Sequence, residues 1–332
     1  MPKEMLYFDS AAIISTASVV GKCEREGPLG ECFDLSDTSD KFGKKTWEQA
    51  ESEMQRLAFN TALAKLRAEE RSIDAIFAGD LQNQCVGSSY GLIDFDIPYF
   101  GIYGACSSAA EGIMLAAATV SAGYFKTAMA VTSSHYCAAE RQYRSPIEYG
   151  AQRSPTAQWT VTGAGAFVIS QHGSVRVKEA LPGVVVEKGI CDASNMGAAM
   201  APAAADTLMR YFKLSGLCPA DFDMIATGDL GIEGGSILCE LCASQGLPLG
   251  ERYRDCGAMI YDVKAQDKHS GGSGCGCSAV VLASYLYPQL ESGKLKNILL
   301  LGTGAMMSPS SIQQGQSIPA IAHLLRISSE RP

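Results

Sequence analysis

The chain has 332 residues, 47% of them hydrophobic, with 35 acidic side chains against 27 basic ones and a formal net charge of −8. This is the composition of a folded protein, not of a low-complexity or disordered one, and at about 150 residues per domain it makes two domains or one duplicated architecture. The acidic balance provides no broad positive field for nucleic acid or anionic lipid. No apolar stretch approaches the roughly 18 residues of a bilayer-spanning helix, the best being Ala279 to Tyr287, where Pro288 intervenes.

From the N-terminus, Met1 to Phe8 has no apolar run ending in a small-residue cleavage site, so no signal peptide is expected and the chain is read as cytoplasmic. Its twelve cysteines are then expected to be reduced and mostly buried. Residues 57–81 read as an amphipathic helix, an Arg/Ser break and a buried strand ending at Asp80. GACSSA (104–109) opens an apolar helix that ends near AGYFK and leads to the strand TAMAVTSS. Between Cys137 and Trp159 lies a stretch with two prolines and three arginines and little periodicity, read as a long functional loop over 137–159. GAGAFVISQHGSVRV then reads as a strand, a turn at Gln171 to Gly173 and a second strand.

Residues 205–230 repeat the helix, break and strand of 57–81, placing Asp229 149 positions after Asp80. GCGCSA (274–279) opens a second apolar helix that leads to NILLLGTG, with Gly274 and Gly293 each 170 positions after Gly104 and Gly123. Two such copies make an α/β protein of two pseudo-symmetric halves, residues 1–173 and 174–332, with strands buried on both faces. The close cysteine pairs Cys239/Cys242 and Cys275/Cys277 fall on a helix and a glycine loop, so no metal site is expected. The loop 271–276 lacks either common phosphate-binding pattern, and its glycines are read as letting two backbones approach.

Cys106 follows a tight Gly-Ala pair at a helix start, where unpaired N–H groups favour thiolate and anions. A nucleophile, an anion-binding thiol and a buried structural cysteine all fit that position. Of the four histidines, His172 and His323 are expected at the surface. His135 ends a strand, where clefts form in α/β folds. His269 opens the glycine loop, and with pseudo-twofold symmetry it approaches Cys106. Asp80 and Asp229 end equivalent buried strands, as loop hydrogen-bonders or site residues.

Taken together, the cysteine at the helix start, the DKHSGGSGCGCSAV loop, QWTVTGAGAFVIS and the EGPLG segment resemble the thiolase superfamily, and within it the stage V sporulation protein AD family, over essentially the whole chain. The resemblance implies a thiolase-like fold in αβαβα layers. Condensing enzymes of the superfamily acylate the cysteine matched by Cys106 and use two basic groups of the second half. Here Asp229 stands where synthase III-like enzymes carry histidine, His269 matches the second position, and Gly302-Thr303-Gly304 replaces the second cysteine of thiolases.

The family implies a non-catalytic protein that binds dipicolinate (pyridine-2,6-dicarboxylate) for uptake into the developing spore. Calcium is expected only as part of the ligand chelate, and no other cofactor is expected. The partners are membrane proteins of the same transport complex at the forespore membrane and a second copy of the chain. The implied ligand-binding residues are Cys106, His269, Asp229 and His135. Arg141, Arg144 and Arg153, with Tyr143, Tyr149 and Trp159, would clamp carboxylates and stack the ring, or are solvated loop charges or dimer contacts. The alternatives are an acyl-transferring enzyme with Cys106 as nucleophile, His269 as base and Asp229 to orient it, and a purely structural assembly subunit.

Overall fold

The computed structural model describes residues 4–143 and 153–330. In the first part of the chain the elements are β1 (Leu6–Tyr7), β2 (Ala12–Val20), α1 (Lys22–Arg25), β3 (Leu35–Ser36), α2 (Trp47–Leu66), β4 (Ala75–Gly79), α3 (Val86–Gly91), β5 (Tyr99–Gly101), α4 (Ser108–Ser121), β6 (Thr127–Ser134), α5 (Tyr136–Tyr143), β7 (Trp159–Thr160) and β8 (Gly163–Ser170). They are followed by β9 (Val175–Leu181), α6 (Met196–Ser215), β10 (Met224–Thr227), α7 (Gly231–Ser244), β11 (Tyr253–Asp255), α8 (Cys256–Ile260), β12 (Gly272–Ser273), α9 (Cys275–Val281), α10 (Tyr287–Glu291), β13 (Asn297–Ala305), α11 (Pro309–Gln313) and β14 (Ala320–Ser329).

The strands form one large sheet in the order β11-β10-β13-β14-β9-β2-β8-β6-β4-β5. From its middle outward the two sides read alike. β2-β8-β6-β4-β5 and β9-β14-β13-β10-β11 each run antiparallel, antiparallel, parallel, parallel. The sides meet where Ala12 and Ile13 of β2 pair with Arg176 and Val175 of β9. The segment read as strand, turn and strand is β8 and β9, which pair with other strands and not with each other.

Continuous apolar runs such as AIFAG in β4 and NILLLGTGA in β13 are buried throughout or nearly so, as strands covered on both faces must be. α2 lies over the outer face of β2, β6 and β8, packing Met54, Phe59 and Leu63 against Ile76 and Met129. α6 and α7 cover the other side around Met200, Tyr211 and Phe222. α4 and α9 lie between the two half-sheets: α4 packs on β4 and β6 and also on β13 and β14. The mixed α/β fold therefore stacks as helix, sheet, helix, sheet, helix.

Small residues let the middle layer close. A Cβ added at Gly165 of β8 would lie 2.7 Å from Ala279 Cβ of α9, and one at Gly276 would lie 2.4 Å from the Gly163 carbonyl oxygen. Glycines in the 271–276 loop and its neighbours thus do bring two backbones together.

Two expectations need correcting. The segment 137–159 is not loop throughout, because Tyr136–Tyr143 is helix α5, anchored by buried Ala138, Ala139 and Glu140. Pro288 ends the apolar stretch but not the helix, since a wider π-type turn at Leu282–Leu286 precedes it and α10 continues. His323 is not a surface residue. It lies in β14 between β13 and β9, accepts a hydrogen bond from Gly183 N at Nδ1 (3.1 Å), and is pushed down to about 4 by burial.

Candidate functional site

Cys106 is presented by a strained turn in which Ala105 takes φ +50°, a left-handed conformation that a non-glycine residue adopts only when its surroundings impose it. The turn is held by Ser107 Oγ donating to Gly104 O (2.6 Å) and by Gly104 N donating to Ser108 Oγ (3.0 Å), immediately before α4 begins. From the other half comes the two-residue strand β12, which pairs in parallel with β7. Gln158 pins it by donating from Nε2 to Gly272 O (2.8 Å) and to Asp229 O (2.6 Å). Gly274, at φ +100°, then turns the chain into α9.

This construction sets Ser273 against Cys106, with Oγ 3.9 Å from Sγ. Behind both lies Asp229, which follows β10 and is fully buried. Its Oδ2 accepts from Ser273 Oγ (3.0 Å) and Gly274 N (2.8 Å), and its Oδ1 accepts from Thr303 Oγ1 of β13 (2.7 Å). Burial raises the pKa of Asp229, against the lowering effect of those donors. Burial, and then the charge of Asp229, push the Cys106 thiol well above its ordinary value. The thiolate-favouring field of a helix start is thus outweighed, and the thiol stays protonated.

Cys106 and Ser273 open onto a cleft of about 440 Å³. It is lined by Tyr103, the amide residues Gln82, Asn83 and Gln142, Met196 and the segment Ala305 to Pro309. No charged side chain lines it among the described residues.

The sequence placed some of these groups correctly and others not. Cys106 and Asp229 do meet. His269 does not reach them: its Nδ1 contacts Ser154 O (2.6 Å), its Nε2 contacts Asp267 Oδ1 (3.2 Å), and it is absent from the cleft lining. The loop turns between 269 and 273, so Ser273 takes the place expected for His269. His135 is structural, its Nε2–H donating to Asp40 O (2.8 Å) while Nδ1 accepts from Cys137 N (3.2 Å) at the start of α5.

Arg141 pairs with Glu48, and Arg153 bonds Asp267 O (2.5 Å) and lies 4.8 Å from the Trp159 ring. Trp159 is itself stacked on Tyr136 at 3.8 Å. Neither arginine nor Trp159 lines the cleft, whereas Tyr143 does. Arg144 and Tyr149 lie outside the described residues. Sequence reasoning missed Ser273, Thr303, Tyr103 and Gln82. The repeat itself held the signal for two of them, because Tyr103 and Ser273 are 170 positions apart and precede the two matched glycines.

The protonated thiol has a direct chemical consequence. With iodoacetamide at neutral pH, exposed Cys32, Cys191 and Cys218 are expected to label first. Cys106, buried and with its thiol held well above the ordinary value, should trail all three, because only the thiolate reacts. Peptide mass mapping over time checks this, and Cys106 labelling ahead of the exposed thiols would show a stabilised thiolate instead.

The comparisons with known proteins cover nearly the whole chain. A family model described as Stage V sporulation protein AD matches residues 3–328. The Stage V sporulation protein AD of Bacillus subtilis (strain 168) is 43% identical over 323 residues, covering 97% of this chain and 95% of that protein. A variant of Xanthomonas campestris OleA superposes with a TM-score of 0.62 at 16% identity, covering 97% of this chain and 100% of that one. The 3-oxoacyl-[acyl-carrier-protein] synthase III of Aquifex aeolicus VF5 gives a TM-score of 0.57 at 12% identity, with 96% and 99% covered. At such identities the two solved structures establish the thiolase-like fold alone.

Proposed function

Because this chain belongs to the stage V sporulation protein AD family, we propose that it is a non-catalytic binding protein of sporulation. Its Cys106 cleft takes dipicolinate, free or as the calcium chelate, for uptake into the developing spore. The observation that carries this reading is the setting of Cys106. In this fold the cysteine at that place is a nucleophile only when made a thiolate, and here its neighbour is a buried carboxylate that keeps the proton on sulfur. A protonated thiol and the amides of Gln82, Asn83 and Gln142 are neutral donors suited to carboxylate oxygens. Tyr103 and Tyr143 offer flat faces to an aromatic ring.

An uncharged lining also accommodates a chelate whose calcium has already offset the dianion. The volume lies within the range of small-molecule sites. No helix among the described residues is long and apolar enough to cross a membrane, so membrane proteins of the transport complex would bring the chain to the spore membrane. The second copy of the chain is proposed to add along β5. Among the described residues that strand pairs on one side only, with β4, and it exposes Tyr99 and Phe100.

The experiment is a calorimetric titration of the purified protein with dipicolinate, with and without calcium. Saturable one-to-one binding is expected, weakened about a hundredfold by Ser273→Leu, which fills the cleft with a bulky apolar group. No heat under either condition would reject the reading, and stoichiometric acylation of Cys106 by an acyl thioester would replace it with an enzyme.

A further inference from the structure

Behind the cleft wall lies a second polar cluster that the sequence touched only through Asp80. Glu51 and Gln55 come from α2, Asp80 and Gln82 from the turn after β4, Ser88 from α3 and Ser133 from β6, and all six are buried. Gln82 belongs to both places. It lines the cleft, and its Nε2 donates to Glu51 Oε2 at 2.8 Å. Ser133 Oγ donates to Glu51 Oε1 (2.9 Å). Asp80 accepts from Ser88 N (2.6 Å), Ser88 Oγ (2.5 Å) and Gln82 N (2.8 Å). Gln55 Nε2 reaches Ser88 Oγ (2.9 Å) and Ser133 Oγ (2.8 Å), joining the two acids into one network.

No cation among the described residues balances the pair. Among the described residues no lysine, arginine or histidine forms an ion pair with Glu51 or Asp80. The titratable groups that face them from the packed elements are Cys85, Tyr99 of β5, Tyr103 and Cys275 of α9, none of which is positive at neutral pH. Two adjacent buried carboxylates without a counter-charge do not both stay ionised at modest cost. The side-chain oxygens of Gln55 and Gln82 are buried without a donor, so acceptors stand ready for an added proton. Burial, and then the charge of Asp80, push Glu51 up to about 8, and burial also raises Asp80.

We infer that the Glu51–Asp80 pair is a proton store coupled to the cleft through Gln82, so that an anion entering beside Gln82 is accompanied by uptake of a proton from solvent onto the pair. This rests on the reading of the ligand as a carboxylate. The step moves one proton and no other bond: H⁺ from buffer attaches to a Glu51 oxygen, and the negative charge near the ligand falls by one. Affinity for an anion then weakens as pH rises past the point where the pair loses its proton.

The test is calorimetry with dipicolinate in the presence of a calcium chelator, in two buffers of different ionisation heat, for the wild type and Glu51→Gln. At about pH 8 the wild type should show a buffer-dependent enthalpy reporting proton uptake. Its affinity should fall about tenfold between about pH 7 and about pH 9. In Glu51→Gln binding should persist with both dependences largely gone, and unchanged dependences in that variant would overturn the coupling. If neither protein binds, the dipicolinate reading has failed and thermal melting decides the proton store. A folded-state pKa raised above the unfolded value stabilises fully below the unfolded pKa and is lost as pH rises through the folded one. The wild-type melting temperature should therefore fall more steeply from about pH 5 to about pH 8 than that of Glu51→Gln, and parallel curves would reject the store.

Discussion

Replacing Asp229 with alanine is expected to destabilise the protein by about 3–5 kcal/mol and to abolish ligand binding. The side chain accepts from Ser273 Oγ, Gly274 N and Thr303 Oγ1 inside a dry core, and each donor stranded there costs about 1–3 kcal/mol, less where a hydroxyl can turn elsewhere. At about 2 °C per kcal/mol for a chain of this size, the melting temperature should drop by about 6–10 °C. Asp229→Asn keeps an acceptor for part of that set and should lose less than half as much. The pH dependence separates the two contributions. Burial raises the folded-state pKa of Asp229, so the wild type loses the corresponding stability as pH rises through that value, whereas Asp229→Asn should not. Melting curves over pH check both points, and an alanine variant as stable as the wild type would remove Asp229 from its structural role.

Gly276→Val should be at least as damaging. Even a bare Cβ at Gly276 would meet Gly163 O at 2.4 Å, Ser134 Oγ at 2.7 Å and Ser134 N at 2.9 Å, two of which are backbone atoms that cannot swing aside. Valine therefore has to lift α9 from β6 and β8, and such overpacking costs about 3 kcal/mol or more. Because β12 and Ser273 lead directly into α9, the cleft should open with it and lose its ligand. Gly123→Ala is the control. Gly123 sits at φ +78° with nothing within 4 Å of an added Cβ, so only backbone strain of about 1 kcal/mol is at stake. Denaturant unfolding of both variants checks the contrast, and equal losses would show that close contact with β6 and β8 is not what Gly276 serves.

Much of this was legible in the sequence, where structure follows from local pattern. Continuous apolar strands, helix starts at Cys106 and Gly274, and the offsets between Asp80 and Asp229 and between Gly104 and Gly274 delivered the α/β architecture and half of the site. The illegible part is tertiary. β12 and β7 have two residues each, too few for any periodicity. Yet their pairing decides that Ser273 and not His269 meets Cys106. Likewise Arg141 and Arg153 read as free loop charges because Glu48 and Asp267, which hold them, are 93 and 114 positions away. His135 resembles a cleft residue by its place at a strand end, but both its nitrogens are taken by backbone atoms, one of them in Asp40, 95 positions away.

The position of β14 governs when the second half of the sheet can close during synthesis. The last described strand in chain order is not an edge strand but lies between β13 and β9, with Thr207 Oγ1 of α6 donating to Ala322 O at 2.9 Å. Until residues 320–329 emerge, β9 lacks its neighbour on that side, β13 is an open edge, and the covering helices have half a floor. Loop closure over such sequence distances is slow, and unpaired edges invite association between nascent chains. Folding of the second half is thus deferred until residues 320–329 have been made, and a chain that stops before them would be a substrate for degradation and not a weakened binder.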